Sequence, residues 1–256
     1  MIELTIENDV AHVVLNNPAK LNALDEEAIR ELDAAYAEAE ASRVRALVLR
    51  GEGRAFCAGR DISGVDPRHD DVMGYLGGLV TPLLQRMSRF PAPTFGAAHG
   101  ACLGVGLGLL IATDVVYVAD TAKIGSPFAA LGATLDSGGH ALFFERLGAH
   151  KTLDLIYTGR LMTGSEAVQS GLFSQVFPAD EVVSATVAAA ERAASGATGA
   201  FLASKALVRR LRDERLGLWE SVDVENAAQA ALCDSDDYRE GFAAFQEKRT
   251  PQFRGR

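Results

Sequence analysis

Two glycine-rich segments carry the residue types that could do chemistry here. The first, GEGRAFCAGRDISG over 51–64, places four glycines in fourteen residues; the second, ACLGVGLGLLIA over 101–112, places glycines at 104, 106 and 108 inside an apolar run. Glycine lets the main chain come close to a ligand and leaves peptide N–H groups exposed as donors. Neither segment matches a P-loop or a G-x-G-x-x-G dinucleotide site. The chain also has no G-x-S-x-G nucleophile elbow and no H-E-x-x-H zinc pair.

The elements that must position these segments follow from periodicity. Residues 2–7 and 10–15 read as strands joined at Asn8-Asp9, a pair that tolerates positive φ, and so as an opening hairpin. Ala28, Ile29, Leu32, Ala35, Tyr36 and Ala39 recur at helical spacing behind Asp25, a good N-cap, with Glu26 and Glu27 in the first turn. Ala46-Leu47-Val48-Leu49 is a short apolar run and reads as a buried strand. The segment 51–64 is then a loop, 64–74 a polar stretch expected to be mobile, and a helix is expected to end near Arg89. PAPTFGAAHG reads as an extended entry, 101–112 as a buried helix, and 115–119 as a strand. Helices are expected at about 137–147, 149–158, 165–170, 180–195, 199–212, 217–232 and 235–248, with a strand near 174–177. Strands alternating with helices, then a mostly helical last third, give the α/β class and no linker between independent domains.

Composition excludes several roles. Lys+Arg 25 against Asp+Glu 34 gives a net charge of −9, which repels nucleic acid and anionic membrane, so an anionic ligand must be held by local cations. With 48% apolar residues in 256, a large core can form, yet no apolar run reaches membrane-spanning length, and the first residues do not resemble a signal peptide. Cys57, Cys102 and Cys233 are far apart, with no C-x-x-C and no histidine at ligand spacing; this predicts no metal and a reducing, cytoplasmic setting.

Six segments, NNPAKLNAL (16–24), GEGRAFCAGRDI (51–62), HGACLGVGLGLLIATDVVYVAD (99–120), IGSPFAALGATLDSGGHALFFERLG (124–148), TGRLMTGSEAVQSGLFSQVF (158–177) and FQEKRTPQF (245–253), resemble in order and spacing those of the enoyl-CoA hydratase/isomerase (crotonase) family. The likeness covers nearly the whole chain. It implies a crotonase-like spiral of ββα turns over 1–195 and a helical C-terminal trimerisation region over 196–256, in a homotrimer or homohexamer. It also implies an acyl-CoA thioester as the bound molecule, coenzyme A being part of the substrate and no separate cofactor being needed. The shared chemistry is a thioester enolate held by two peptide N–H groups, which carry over to Arg60 and Val105; a helix N-terminus suits such a donor. For the coenzyme A moiety the likeness points to Ala58 at the adenine, Asp61 and Ile62 along the same wall, Lys20 and Arg54 as phosphate partners, and Lys248 as a C-terminal lysine reaching the phosphates. Cys57 and His99 read as packing residues.

Two departures stand out. The positions of the two glutamates used by hydratases of the family hold Gly108 and Phe128, neither of which moves a proton. Asp136 stands where isomerases of the family carry a single acid, and one carboxylate suits a 1,3 proton shift. The same residue before Ser137-Gly138-Gly139 could instead cap a helix starting at Ser137. Capping would lower its pKa, whereas an apolar pocket of Phe128, Leu131 and Leu135 would raise it. Isomerisation of an unsaturated acyl-CoA is therefore expected, with hydration through an unidentified acid, or silent acyl-CoA binding, as the alternatives.

Overall fold

The computed structural model describes residues 1–255. β1 (Ile2–Glu7) and β2 (Val10–Leu15) pair antiparallel, Ile2 opposite Leu15, through a turn in which Asn8 and Asp9 take φ of 50° and 63°. Both central residues of such a tight turn need positive φ to match the twist of the strands, which Asn and Asp accept. In α1 (Glu26–Ala41) the Asp25 carboxylate accepts the Ala28 N–H at 2.9 Å, and the buried residues are the six that the spacing predicts.

From here one unit repeats three times: a strand, a reversal into a second extended piece, and a helix. The first is β3 (Ala46–Gly51), the loop through Cys57, and α2 (Val72–Tyr75), a π turn (Leu76–Val80) and α3 (Thr81–Ser88). The second is β4 (Thr94–Ala98), β5 (Ala101–Leu103) and α4 (Val105–Ile111); the third is β6 (Val115–Ala119), β7 (Lys123–Gly125) and α5 (Gly139–Thr158). Then come β8 (Met162–Thr163), α6 (Gly164–Gln169), β9 (Gln175–Phe177) and α7 (Val182–Ala194), followed by α8 (Thr198–Glu214), α9 (Leu218–Leu232) and α10 (Asp236–Glu247).

The first strands form a six-stranded sheet, β1-β2-β3-β4-β6-β9, parallel except at the hairpin; the second form a smaller sheet, β5-β7-β8, which Cys57 joins by a parallel bridge to Cys102. This is the spiral of ββα turns. Alternation along β3 sorts side chains to two faces. Leu47 and Leu49 enter the main core with α1, α3 and α4, while Ala46 and Val48 meet Ala189, Ala190 and Ala194 of α7.

Three local expectations change. Residues 101–112 are a strand and a helix, because Gly104 at φ 53° turns the chain between them. The helices expected at 137–147 and 149–158 are α5, which kinks at Gly148 (φ 74°, ψ 171°) and starts two residues later than expected. The short strands β7 and β8, of three and two residues, are additions to the expected elements. Among the described residues no helix is long and apolar enough to cross a membrane.

Buried Asn22, at φ 57°, cross-links the loop that follows β3. Its side-chain amide lies 2.8, 3.0 and 3.2 Å from the carbonyls of Ala55, Glu52 and Phe56, and its Oδ1 accepts the Asn17 N–H at 2.8 Å. Asn22→Ala strands these buried groups, at about 1–3 kcal/mol for each left unpaired. A fall in the urea midpoint of that order is expected, with faster hydrogen exchange over 51–60.

Candidate active site

The loop after β3 is held from both sides through its main chain. On one side Ala58 N–H donates to Leu21 O at 2.9 Å, Leu24 N–H to Gly59 O at 2.8 Å and Asp61 N–H to Leu24 O at 2.9 Å. On the other, Phe56 N–H donates to His99 O at 2.7 Å, Cys57 N–H to Ala101 O at 2.9 Å and Leu103 N–H to Cys57 O at 3.0 Å. The parallel bridge between Leu24 and Arg60 uses the groups of Gly59 and Asp61, so the N–H of Arg60 itself points away from residue 24. Among the described residues it donates to nothing.

The second donor lies across a backbone contact. Gly59, at φ 101°, abuts the next segment so closely that a methyl group there would stand 3.0 Å from Leu103 O. Leu103 leads through Gly104 into α4, whose first internal bond is Gly108 N–H to Gly104 O at 3.1 Å; the N–H groups of Val105, Gly106 and Leu107 precede it and are unpaired within the helix. Arg60 and Val105, expected as a donor pair, each follow directly on one of these two touching segments. A loop peptide donor and one at a helix start can together hold an oxygen that gains negative charge.

Neither glutamate position is open space. A side chain on Gly108 would run into Ser137 Cβ and come within 3.0 Å of Ser137 O, and the Phe128 ring lies against Gly104. Leu135 is buried beside this turn, whereas Leu131, expected in the same apolar wall, is 62% exposed.

Ser137 carries Asp136 into the site at a left-handed φ of 53°. The capping alternative fails on geometry: α5 begins at Gly139 with Gly138 as N-cap, no side chain caps it, and Asp136 contributes only its main-chain oxygen, to Gly139 N–H at 2.9 Å. The carboxyl is half-buried and accepts the Ser137 hydroxyl at 2.7 Å. Burial holds its pKa above the ordinary range, against the opposing pull of the Ser137 hydroxyl, Arg60 and His140. Desolvation therefore wins the contest that sequence left open.

The Arg60 side chain is itself engaged. Its Nη1 and Nη2 donate to Asp70 at 2.9 and 2.7 Å, and its guanidinium lies 4.2 Å over the centre of the Tyr75 ring. Tyr75 is buried and donates its hydroxyl to Leu24 O at 3.0 Å. The stretch expected to be mobile is thus anchored at Asp70, a tie that periodicity could not reveal. Cys57 and Cys102, far apart in sequence, are bridge partners and fully buried, and burial pushes the Cys57 thiol up to about 12. Cys57 is a packing residue; His99 also holds Gly53 O through Nε2 at 3.0 Å.

Of the residues expected around coenzyme A, Ala58, Asp61 and Ile62 flank Arg60, with Ile62 52% exposed. Lys20 pairs with Asp61 at 2.6 Å, and Arg54 is exposed beside Gly53. Lys248 is not brought to them. It ends α10, and the residues after it are tied back by Arg45, which donates to Phe253 O at 3.1 Å at the opposite end of β3 from the donor loop.

Residues 5–256 match the family model described as Enoyl-CoA hydratase/isomerase. A "Probable enoyl-CoA hydratase" of Rhizobium meliloti is 36% identical over 251 residues, covering 96% of this chain and 95% of the relative. A "1,2-epoxyphenylacetyl-CoA isomerase" of Escherichia coli is 30% identical, covering 98% and 97%. A crystal structure titled as an enoyl-CoA hydratase subunit from Geobacillus kaustophilus superposes with a TM-score of 0.89 at 31% identity, covering 100% of this chain and 98% of that one.

The buried carboxyl has a consequence for stability. A folded-state pKa above the unfolded value favours folding below the unfolded pKa, and that contribution is lost as pH rises through the folded one. Asp136→Asn removes the penalty. It is expected to melt above the parent near about pH 7, with the difference vanishing by about pH 3, below both values; thermal melts across pH measure it.

Proposed function

We propose that this chain, which belongs to the enoyl-CoA hydratase/isomerase family, isomerises an unsaturated acyl-CoA thioester by a proton shift through an enolate. The thioester oxygen sits between the Arg60 and Val105 N–H groups. The Asp136 carboxylate removes a proton from carbon, and the electron pair moves onto the thioester oxygen, where the two donors stabilise it. Such a donor is worth about 2.7–4 kcal/mol in rate. Asp136, now protonated, returns the proton at a second carbon as the carbonyl re-forms. A half-buried carboxyl with raised proton affinity suits both steps.

The observation that carries this reading is the Ser137 turn: it fills the space that a glutamate at 108 would need and sets Asp136 beside Arg60 and Tyr75. Hydration keeps support from the relatives named as hydratases and would need another acid. Main chain at Ala58 meets the adenine, Asp61 and Ile62 continue that wall, and Lys20 and Arg54 flank the phosphates. Lys248 comes from a neighbouring copy in a trimer or hexamer. Trp219 and Phe245, 76% and 84% exposed on α9 and α10, support such an assembly. The reducing cytoplasm is the setting that three free thiols favour.

A panel of 2-enoyl-, 3-enoyl- and aryl-CoA thioesters tests the reaction. A double-bond shift without net hydration is expected, and Asp136→Asn should lower turnover about 10²–10⁴-fold while thioester affinity stays within a few-fold. Hydration of the 2-enoyl thioester that persists in the variant would overturn the assignment, and so would tight binding with no turnover of any thioester. For the assembly, sedimentation should give a trimer or hexamer, and Lys248→Ala should weaken coenzyme A binding without changing that state; a monomer at micromolar concentration would sink the neighbour-supplied lysine.

A further inference from the structure

Arg60 offers the site a peptide N–H, yet it also brings a full positive charge next to the only acid the proposed reaction uses. One guanidinium acts on two carboxyls, one by direct contact and one through its field. Asp70 takes it in a two-point pair at 2.9 and 2.7 Å, both side chains being only about one-fifth exposed (20% and 18%), while Asp136 lies near enough for Arg60 to pull on its proton. The pair with Asp70 uses two of the five N–H donors that a guanidinium carries, so the cation could serve the other carboxyl if it were released. The Tyr75 ring, fixed by its hydroxyl on Leu24 O, forms the flat face on which the guanidinium rests at 4.2 Å.

We propose that Asp70 is a positioning residue that acts through Arg60: its two-point pair, with the Tyr75 face, keeps the guanidinium off Asp136 and leaves that carboxyl free to exchange a proton with the substrate. The inference rests on Asp136 being the acid/base of the proposed reaction. A carboxylate gripped by arginine is held ionised and has its lone pairs occupied, which makes it a poor acceptor and a worse donor. Arg60 cannot simply be moved aside, because its main chain is pinned by the Leu24 bridge that aims its N–H. The groups facing Asp136 are Arg60 from the donor loop, Tyr75 from α2, and Ser137 and His140 at the start of α5; Arg60 is faced by Asp70, Tyr75 and Glu26.

The test reads Asp136 directly. With ¹³C-carboxyl-labelled aspartate, the titration of Asp136 is followed by NMR in the free full-length protein, its signal assigned by loss in Asp136→Asn, beside the pH profile of kcat/KM on the thioester that turns over. Asp70→Ala is expected to lower the Asp136 midpoint by about one pH unit or more, the effect of an opposite charge at close range. The acid limb of kcat/KM should move down with it and the plateau fall at least about ten-fold, as a weaker base predicts. Adding Arg60→Met, which keeps the peptide N–H, should return the midpoint to the parental value or above. Asp70→Asn, nearly isosteric, serves if the alanine variant does not fold. An unmoved Asp136 midpoint in a folded Asp70 variant overturns the proposal, even where Asp136→Asn abolishes turnover. A moved midpoint with turnover that ignores Asp136→Asn instead removes the catalytic reading of Asp136 and leaves the guanidinium's placement standing.

Discussion

The main-chain hydrogen bonding of residues 56–61 is the constraint on which the site depends. These six residues spend their peptide groups on 21–24 to one side and 99–103 to the other, and among the described residues the bridge geometry leaves the N–H of Arg60 without a partner. Asn22 and the close approach of Gly59 to Leu103 hold this arrangement, and the start of α4 supplies the second donor. A helix start leaves its first N–H groups without partners inside the helix.

Once the donors are placed, the remaining chemistry turns on where a carboxyl can stand. Helix α4 meets the Ser137 turn at Gly108, where any side chain would collide, and the aromatic ring of Phe128 covers Gly104. Asp136 stands just before α5, followed by Ser137, which is held at a positive φ that glycine, as at Gly138, takes freely but serine does not. A half-buried carboxyl and a left-handed serine both cost stability, and such costs gather at sites that use them. Arg60 and Tyr75 complete the wall, with the cation held on Asp70.

The overall charge of −9 and the needs of an anionic ligand are reconciled locally. Lys20 and Arg54 sit on the loops that frame the donors, but Lys20 shares its charge with Asp61 at 2.6 Å. The lysine end of this pair is half-exposed, whereas the Asp61 carboxylate is mostly covered. Lys248 lies on a segment folded back along α10 and tied to Arg45, which sets it apart from these residues within one chain.

What the sequence determined by itself was whatever depends on near neighbours. The Asn8-Asp9 hairpin, the Asp25 cap, the buried stripe of α1 and the glycine-rich break after β3 all follow from residue type and spacing, since turns, caps and amphipathic periods are local. The order of six segments added the family, and with it the expectation that Arg60 and Val105 are donors and that Gly108 and Phe128 stand where hydratases carry glutamates. Tertiary structure alone decided the rest, because contacts between residues distant in the chain leave no periodic trace. It replaced a single helix at 101–112 with a strand and a helix, since β5 must pair with β7 and Cys57. It put Ser137 against Gly108, showed that Asp136 does not cap α5, and let desolvation outweigh the pull of neighbouring groups on its proton. The Arg60–Asp70 pair and the Asn22 cross-link belong to the same class: each joins side chains to groups ten or more residues away, and only the folded chain brings them within bonding distance.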